Sequence, residues 1–348
     1  MSKATLLIVD DSATLRAVVR TILSKDPDIE IVGEAADAVE ARRLIKELNP
    51  DVITLDIEMP GMNGLQFLDK IMTLRPMPVI MLSSSTAAGS EHTLTALTSG
   101  AFHCIQKPAS GNVLEAFSAL PELVKAAAAS PIAASWQAAR TRSAPVAPVR
   151  PRITFRRSAV IGLGSSTGGA DALRAVLSTF PENCPPTLIA QHMPEDVIRS
   201  FAARLDEVVA PQVAVARQGE PLKAGQVRFA PGGTLDLQLH FRDGYICRLT
   251  ERADTVGHCP SVDVLFSSMA RNAGRNAVGA ILTGMGRDGA QGLLEMRQEG
   301  ARTFGQDAAT SIVYGMPRVA AEIGAVESQH PLADIGMAVL DAASVHAA

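Results

Sequence analysis

The sequence has few cysteines, few aromatic residues and no metal-binding cysteine motif. Its 348 residues include one tryptophan, and aromatic residues make up 4% of the chain. The four cysteines are Cys104, Cys184, Cys247 and Cys259. Because they form no CxxC pair and show no metal-type spacing, we interpret them as free thiols in a reducing cytoplasm.

Long apolar runs and an excess of positive charge are also absent. The N-terminus leads into only four apolar residues, 6–9, before Asp10. That run is too short for the core of a signal peptide, and no stretch approaches the ~20 apolar residues of a spanning helix. The net charge of −4 argues against nucleic acid as a partner. We therefore expect a cytoplasmic protein without membrane insertion.

The chain is too long for one ordinary core, and its pattern changes twice. Short apolar runs alternate with helical patterns over residues 6–120, which is typical of βα units and a parallel sheet. An Ala- and Pro-rich, basic stretch containing Trp136 follows, with no acidic residue between Glu122 and Asp171. From Ser158 the alternation resumes.

These changes predict an α/β protein of two doubly wound domains. The first, residues 1–122, should have a flavodoxin-like five-stranded parallel sheet, and residues 123–155 should form an extended linker. The second, residues 156–348, should have a mainly parallel sheet. It should also contain an antiparallel hairpin, because alternating runs flank Arg242-Asp243-Gly244.

Polar residues follow the predicted strands of the first domain. They are Asp10 and Asp11 after the first strand, Asp56 at the end of the third, Ser83 after the fourth and Lys107 after the fifth. All should lie at the carboxyl edge of the sheet, where open α/β folds bind ligands. Three converging carboxylates need a cation, and oxygen ligands suit Mg²⁺. The lysine and the hydroxyl would then hold an arriving phosphoryl group.

This half of the chain resembles the response-regulator receiver domain. The blocks LLIVDDS (6–12), ITLDIEMPGMNGLQFL (53–68), MLSSS (81–85) and IQKP (105–108) carry the resemblance. It implies Asp56 as phospho-acceptor, Asp10 and Asp11 as Mg²⁺-binding acids with it, and Ser83 and Lys107 as the switch residues. Cys104 stands where such domains usually carry an aromatic residue, so the usual hydroxyl–aromatic relay is altered here.

A serine loop opens the second domain. Gly164-x-Ser166-x-Gly168 fits a nucleophile elbow between a strand and a helix. The same glycines, with Gly162, also fit a loose dinucleotide-binding loop. That alternative needs an acid at the end of the next strand to hold the ribose, and His192 stands there instead. His192 is therefore a candidate base for Ser166.

Asp288 supplies a third member at another strand end, in Thr283-Gly284-Met285-Gly286-Arg287-Asp288-Gly289. It could equally be a helix cap or a turn residue. A nucleophile, a base and an orienting acid at three strand ends follow the logic of a catalytic triad in the order Ser, His, Asp. Ordinary α/β-hydrolases have the order Ser, Asp, His.

Residues 158 to about 345 resemble the catalytic domain of CheB-type protein-glutamate methylesterases. The blocks that carry the resemblance are IGLGSSTGG, LIAQHMP, FAPGG, HCPSVDVLF and ILTGMGRDGA. It implies Ser166 as nucleophile, His192 as base, Asp288 as orienting acid, and Thr167 and the Met285 amide lining the site. Without the resemblance, the block HCPSVDVLF indicates only the start of a helix with Ser261 as its cap.

The two resemblances together imply a phosphorylation-regulated serine hydrolase. Its expected substrates are glutamate γ-methyl esters, and specific glutamines, on methyl-accepting chemotaxis receptors. A CheA-type histidine kinase is the expected phosphodonor. Mg²⁺ would serve the receiver, and the esterase reaction would need no cofactor. Two alternatives stay open from the sequence, a non-enzymatic response-regulator adaptor and a nicotinamide oxidoreductase built on GLGSSTGG.

Overall fold

The structure, a computed structural model, describes residues 3–84, 87–107, 116–130, 153–252 and 257–345. The chain divides into two compact units, Met1–Pro145 and Val146–Ala348. Most of the predicted linker, including Trp136, lies outside the described residues, so the domain boundaries stay a prediction. None of the described helices combines the length and apolar composition needed to cross a bilayer.

The first unit contains one parallel sheet with the strand order β2-β1-β3-β4-β5. The elements are β1 (Ala4–Val9), α1 (Ala13–Leu23), β2 (Ile29–Ala35), α2 (Ala38–Leu48), β3 (Val52–Asp56), α3 (Gly64–Leu74), β4 (Val79–Ser84), α4 (Ala87–Thr98), β5 (His103–Lys107) and α5 (Leu120–Ala128). The predicted five-stranded parallel sheet is confirmed.

Two predicted strand ends in this unit are wrong by one or two residues. Ser83 lies inside β4 and Lys107 is the last residue of β5, although both were expected to follow their strands. The cause is the pairing of β4 with β5, which continues through Ser83 and Ser84 opposite Gln106 and Lys107. Both residues still lie at the carboxyl edge of the sheet.

The second unit contains a seven-stranded parallel sheet and a separate two-stranded antiparallel sheet. The large sheet has the order β14-β13-β12-β6-β7-β9-β8. The strands are β6 (Val160–Ser165), β7 (Thr187–Gln191), β8 (Gln212–Val215), β9 (Gln226–Phe229), β10 (Leu235–Phe241), β11 (Tyr245–Glu251), β12 (Ala277–Ile281), β13 (Arg302–Gln306) and β14 (Ser328–His330). The helices are α6 (Gly169–Leu177), α7 (Glu195–Asp206), α8 (Val262–Ala273), α9 (Ala290–Gln298), α10 (Met316–Glu322) and α11 (Leu332–Ala343).

The predicted hairpin is confirmed as β10 and β11. It forms its own sheet and does not extend the large one. The sequence pattern missed β8, β13 and β14. Two of these are edge strands of three or four residues, and β13 carries Arg302, Thr303, Gly305 and Gln306 around one phenylalanine. Such strands lack the continuous apolar run that marks a strand buried on both faces.

Helix α8 joins the hairpin to the large sheet. Its Ser268 hydroxyl accepts a hydrogen bond from the Leu239 amide of β10, at 2.8 Å. On its other side it lies so close to β6 that a Cβ on Gly162 would be 2.5 Å from Sδ of Met269. A Cβ on Gly164 would be 2.2 Å from Cγ1 of Val262. The β6 glycines therefore serve the close packing of this helix on the strand.

We expect Gly164→Ala to lower the free energy of unfolding by about 1–3 kcal/mol, because the added methyl overpacks a filled interface. Val262→Ala removes the methyl groups that would clash. The two substitutions together should therefore cost less than the sum of each alone, as measured by urea unfolding of all three variants. Additive costs would show that the contact between β6 and α8 is looser than described.

Candidate active site and phosphorylation site

Ser166 follows β6 at the point where the strand order of the large sheet reverses. From β6 the chain continues to β7 on one side, and it later fills the other side with β12. Ligands of open α/β sheets bind at the carboxyl ends of the strands beside such a switch point. Ser166 is 8% exposed, so its side chain keeps a small exposed surface at this edge.

Backbone hydrogen bonds fix the segments on both sides of Ser166. The amide of Ser166 donates to the carbonyl of Thr283 at 3.0 Å, and the amide of His192 donates to the carbonyl of Ser165 at 3.1 Å. The Thr283 hydroxyl also donates to the carbonyl of Thr167 at 2.9 Å. The three strand ends that carry the predicted triad are thus joined directly to one another.

The imidazole of His192 is bonded to the carboxylate of Asp288. Its Nε2 lies 2.7 Å from Oδ2 of Asp288, and its side chain is only 6% exposed. The other ring nitrogen, Nδ1, is buried and has no hydrogen-bond partner among the described residues. Since Nε2–H donates to the carboxylate, Nδ1 is the nitrogen left with a free lone pair to accept a proton.

Ser166 and His192 share no hydrogen bond within the described part of the chain. Catalytic hydrogen bonds are often long without substrate and shorten when substrate binds. The two residues are nevertheless held on adjacent strands, because Ser165 pairs with Gln191 across β6 and β7.

Asp288 is also anchored by the start of helix α8. Its Oδ2 accepts the Val262 amide at 2.8 Å, and its Oδ1 accepts the Asp263 amide at 3.0 Å and the Ser261 hydroxyl at 2.9 Å. Burial alone would raise the pKa of Asp288, but the bond and charge of His192 and these amides together hold that pKa below its usual range. The carboxylate is therefore ionised at neutral pH. Asp288 therefore caps α8, and not the helix that follows it.

The loop after β12 approaches Ser166 closely. A Cβ on Gly284 would be 2.8 Å from Cβ of Ser166, so only glycine fits this approach. The next residue, Met285, makes no backbone hydrogen bond through its amide within the described residues. A backbone amide of this kind is a donor that can stabilise an oxyanion. Thr167 is 3% exposed in the same turn.

The sequence did not single out Gln191, which holds the turn that carries Ser166. This glutamine is 2% exposed. Its amide nitrogen donates to the carbonyl of Ser166 at 2.9 Å, and its oxygen accepts the hydroxyl of Ser165. Ser165 is fully buried, so of the two adjacent serines only Ser166 keeps exposed surface. A polar residue ending a buried, mainly apolar strand was the available signal.

Two residues of the HCPSVDVLF block also belong to the site. Ser261 caps α8 as predicted, with its hydroxyl accepting the Val264 amide at 3.3 Å. Its second role, donation to Asp288, was not predicted. His258 stacks on His192 with ring centroids 4.1 Å apart and an interplanar angle of 19°. Nothing in the sequence indicated this contact.

The first unit brings its predicted acids and lysine together at the edge between β1 and β3. Nζ of Lys107 lies 2.7 Å from Oδ1 of Asp56 and 3.1 Å from Oδ2 of Asp10. Carboxylate oxygens of Asp10, Asp11 and Asp56 all lie within 4.8 Å of one another. This oxygen set fits a hard divalent cation such as Mg²⁺.

Burial raises the pKa of Asp56, and the charge of Asp10 adds to that rise while Lys107 opposes it. A nearby cation would favour the ionised carboxylate that a phosphoryl acceptor must be. In the neighbouring strand β4, Leu82 pairs with Asp56. Ser83 is the next residue and is fully buried. Cys104 lies 3.7 Å from the carbonyl of Thr93, and burial raises the pKa of its thiol.

Sequence profiles of two families match the chain, CheB methylesterase over residues 161–339 and the response regulator receiver domain over residues 6–117. The protein-glutamate methylesterase/protein-glutamine glutaminase 1 of Rhizobium johnstonii is 56% identical over 341 residues, covering 97% of this chain and 96% of that relative. The corresponding enzyme of Agrobacterium fabrum is 55% identical over 338 residues, covering 97% and 96%. The chain belongs to the CheB methylesterase family.

The CheB likeness extends to solved structures. The catalytic domain of Thermotoga maritima CheB methylesterase matches with a TM-score of 0.51 and 31% identity, covering 53% of this chain and 97% of that domain.

The structure removes the main support for the dinucleotide-binding alternative. Gly162 and Gly164 lie within β6 against α8, so they do not form a loop that a pyrophosphate could approach.

The two adjacent serines allow a matched test of this CheB-type site. We expect Ser166→Ala to abolish ester hydrolysis with little loss of stability, because the side chain keeps its Cβ and loses only its hydroxyl. Ser165→Ala should lower the free energy of unfolding by about 1–3 kcal/mol, because the buried Gln191 oxygen loses its donor. Ester hydrolysis and urea unfolding of both variants check this pair. The opposite pattern would make Ser165 the nucleophile.

Proposed function

We propose that this chain hydrolyses γ-methyl esters of protein glutamates, and amides of specific protein glutamines, and that phosphorylation of its receiver domain regulates the activity. The observation that carries the proposal is the bond between His192 and Asp288 beside Ser166. This hydrogen-bonded pair lies at the switch point of the large parallel sheet, within the part of the chain that matches the CheB family. The near full-length relatives with the methylesterase and glutaminase names support the choice of substrate.

Ser166 would attack the ester carbonyl while Nδ1 of His192 takes its proton. The ionised Asp288 stabilises the resulting imidazolium through Nε2. The Met285 amide would donate to the oxyanion, an interaction typically worth about 3 kcal/mol. When the C–O bond breaks, the imidazolium returns the proton to the leaving methoxide and methanol departs. Water then repeats the sequence on the acyl-serine and leaves glutamate and free Ser166.

Glutamine follows the same course with ammonia as the leaving group. The C–N bond breaks, and the proton held by His192 passes to the nitrogen. The same nucleophile, base and oxyanion donor therefore serve both substrates. The reaction as written takes only water as co-reactant.

The receiver domain would take a phosphoryl group on Asp56. Asp10, Asp11 and Asp56 would hold Mg²⁺, which would offset the negative charge of acceptor and phosphoryl oxygens. Lys107, already 2.7 Å from Asp56, would then pair with the phosphoryl group. Ser83 and Lys107 are the residues we propose to report phosphorylation to the rest of the domain.

The partners follow from these two chemistries. A CheA-type histidine kinase is the proposed phosphodonor, and the cytoplasmic helices of methyl-accepting chemotaxis receptors are the proposed substrates. Both partners place the protein in the cytoplasm. The receiver domain match and the methylesterase names of the relatives support this assignment.

Methanol release from methylated receptor membranes tests the proposed function. We expect the full-length protein to release methanol and Ser166→Ala to release none, because the acyl-serine cannot form. Asp243→Asn removes one negative charge in the hairpin turn, so it is the control for any variant that neutralises an acid of the site. Membranes that keep their methyl groups in the presence of the wild-type protein would favour the non-enzymatic adaptor.

Phosphorylation should change the rate of that reaction through Asp56. We expect a small phosphodonor with Mg²⁺ to raise methanol release by the wild-type protein and to leave Asp56→Asn unchanged. Asp11→Ala should also lose the response, because the cation site loses a ligand. Radiolabelled phosphodonor measures incorporation directly. A stable phosphoryl adduct in Asp56→Asn would place the acceptor elsewhere.

A further inference from the structure

His258 packs against the catalytic imidazole but has no part in the reaction as written. The two rings are nearly parallel, with centroids 4.1 Å apart and an interplanar angle of 19°. His258 itself is exposed, whereas the His192 side chain is 6% exposed. One face of the His192 ring is therefore covered by a second imidazole that solvent can reach.

The loop that carries His258 is fixed from the hairpin. The buried carboxylate of Asp236, in β10, accepts the Ser261 amide at 2.7 Å and lies 3.8 Å from Sγ of Cys259. The guanidinium of Arg252, directly after β11, donates to the carbonyl of His258. These contacts on both sides of the loop give His258 a defined position, which an exposed loop residue does not ordinarily have.

The contacts of His192 leave one degree of freedom that the stack can restrict. Its ring is held at Nε2 by Asp288, and Nδ1 has no hydrogen-bond partner among the described residues. A single hydrogen bond at one ring atom permits the plane of the ring to tilt about that bond. A second ring lying flat on its face opposes this tilt and keeps Nδ1 directed to one place.

We propose that His258 is a positioning residue for the proposed reaction: as a neutral ring it holds the plane of His192, and when protonated it disfavours the imidazolium that His192 must form. The inference rests on the proposed function, since it assigns His192 as the base.

The charges around His258 determine its pH response. Desolvation of its packed face lowers the pKa of His258, the positive charges of His192 and Arg252 lower it further, and Asp288 opposes them. The ring is therefore neutral at neutral pH and takes its proton only below the usual range of histidine. Protonation of His258 should then add its own loss of activity on the acid side.

Three full-length variants separate these effects. His258→Ala removes the stack, His258→Phe keeps a flat ring without a titrating group, and His240→Ala removes a hairpin histidine outside the site. At pH 8 we expect His258→Ala to lower kcat roughly 10- to 100-fold with little change in KM, since small misplacements of a catalytic group have costs of this order. His258→Phe and His240→Ala should stay close to wild type.

The pH profile of methanol release distinguishes positioning from a general structural role. The wild-type acid limb should be steeper than that of His258→Phe, because only the wild type has a second inhibitory proton. Urea unfolding of each variant checks that the fold is intact. If His258→Ala keeps wild-type kcat, or if His258→Phe keeps the wild-type acid limb, the inference is wrong.

A second measurement does not depend on activity. NMR titration of the His258 ring should give a pKa below the usual value of about 6.5. In His192→Gln that pKa should rise, because the neighbouring positive charge is removed. An unchanged His258 pKa would show that the rings are not coupled and would overturn the inference. If the wild-type protein releases no methanol, the proposed function is wrong. The NMR titration then still tests whether the two imidazole rings are coupled.

Discussion

The carboxylate of Asp288 lies where three parts of the second unit meet. It accepts hydrogen bonds from the first amides of α8, from the Ser261 hydroxyl and from His192. An anion at a helix N-terminus is stabilised by the unpaired amides there and by the helix dipole. The same contacts that keep this group ionised also set its position. A single half-buried charge thus connects the packing of α8 to the orientation of the proposed base.

Helix α8 transmits that position to the rest of the unit. One side packs on Gly162 and Gly164 of β6, the strand that leads to Ser166. The other side is bonded to the hairpin through Ser268. The hairpin in turn fixes the loop that carries His258 and Ser261. An antiparallel addition that looks peripheral in the strand order therefore supports one wall of the candidate active site.

The receiver unit solves a related electrostatic problem differently. Its acids lie at the reversal between β1 and β3, and Lys107 from β5 offsets two of them. Among the residues that the structure describes in this unit, no helix start donates amides to all three carboxylates. The pKa of Asp56 is raised, whereas the pKa of Asp288 is lowered. One carboxylate is therefore suited to stay charged and fixed. The other is suited to change its charge when a cation or a phosphoryl group arrives.

The sequence by itself determined the five-stranded sheet, the central strands of the seven-stranded sheet and the residues at their carboxyl edges. Apolar runs such as residues 79–82 mark strands buried on both faces, and the polar residue that follows such a run must lie near the edge where ligands bind. That reasoning located Ser166, His192, Asp288 and Asp56 without coordinates. The spacing of side chains along one strand is local, so the pattern carries it.

Tertiary structure alone decided which atoms meet. The stack of His258 on His192, the bond from Ser261 to Asp288 and the support of Ser166 by Gln191 all join residues at least 25 positions apart. Each depends on how closely α8 approaches β6 and on where the hairpin holds the loop before it. These contacts also set which ring nitrogen of His192 faces Asp288. The sequence specifies only that the residue is a histidine and not how its ring is oriented.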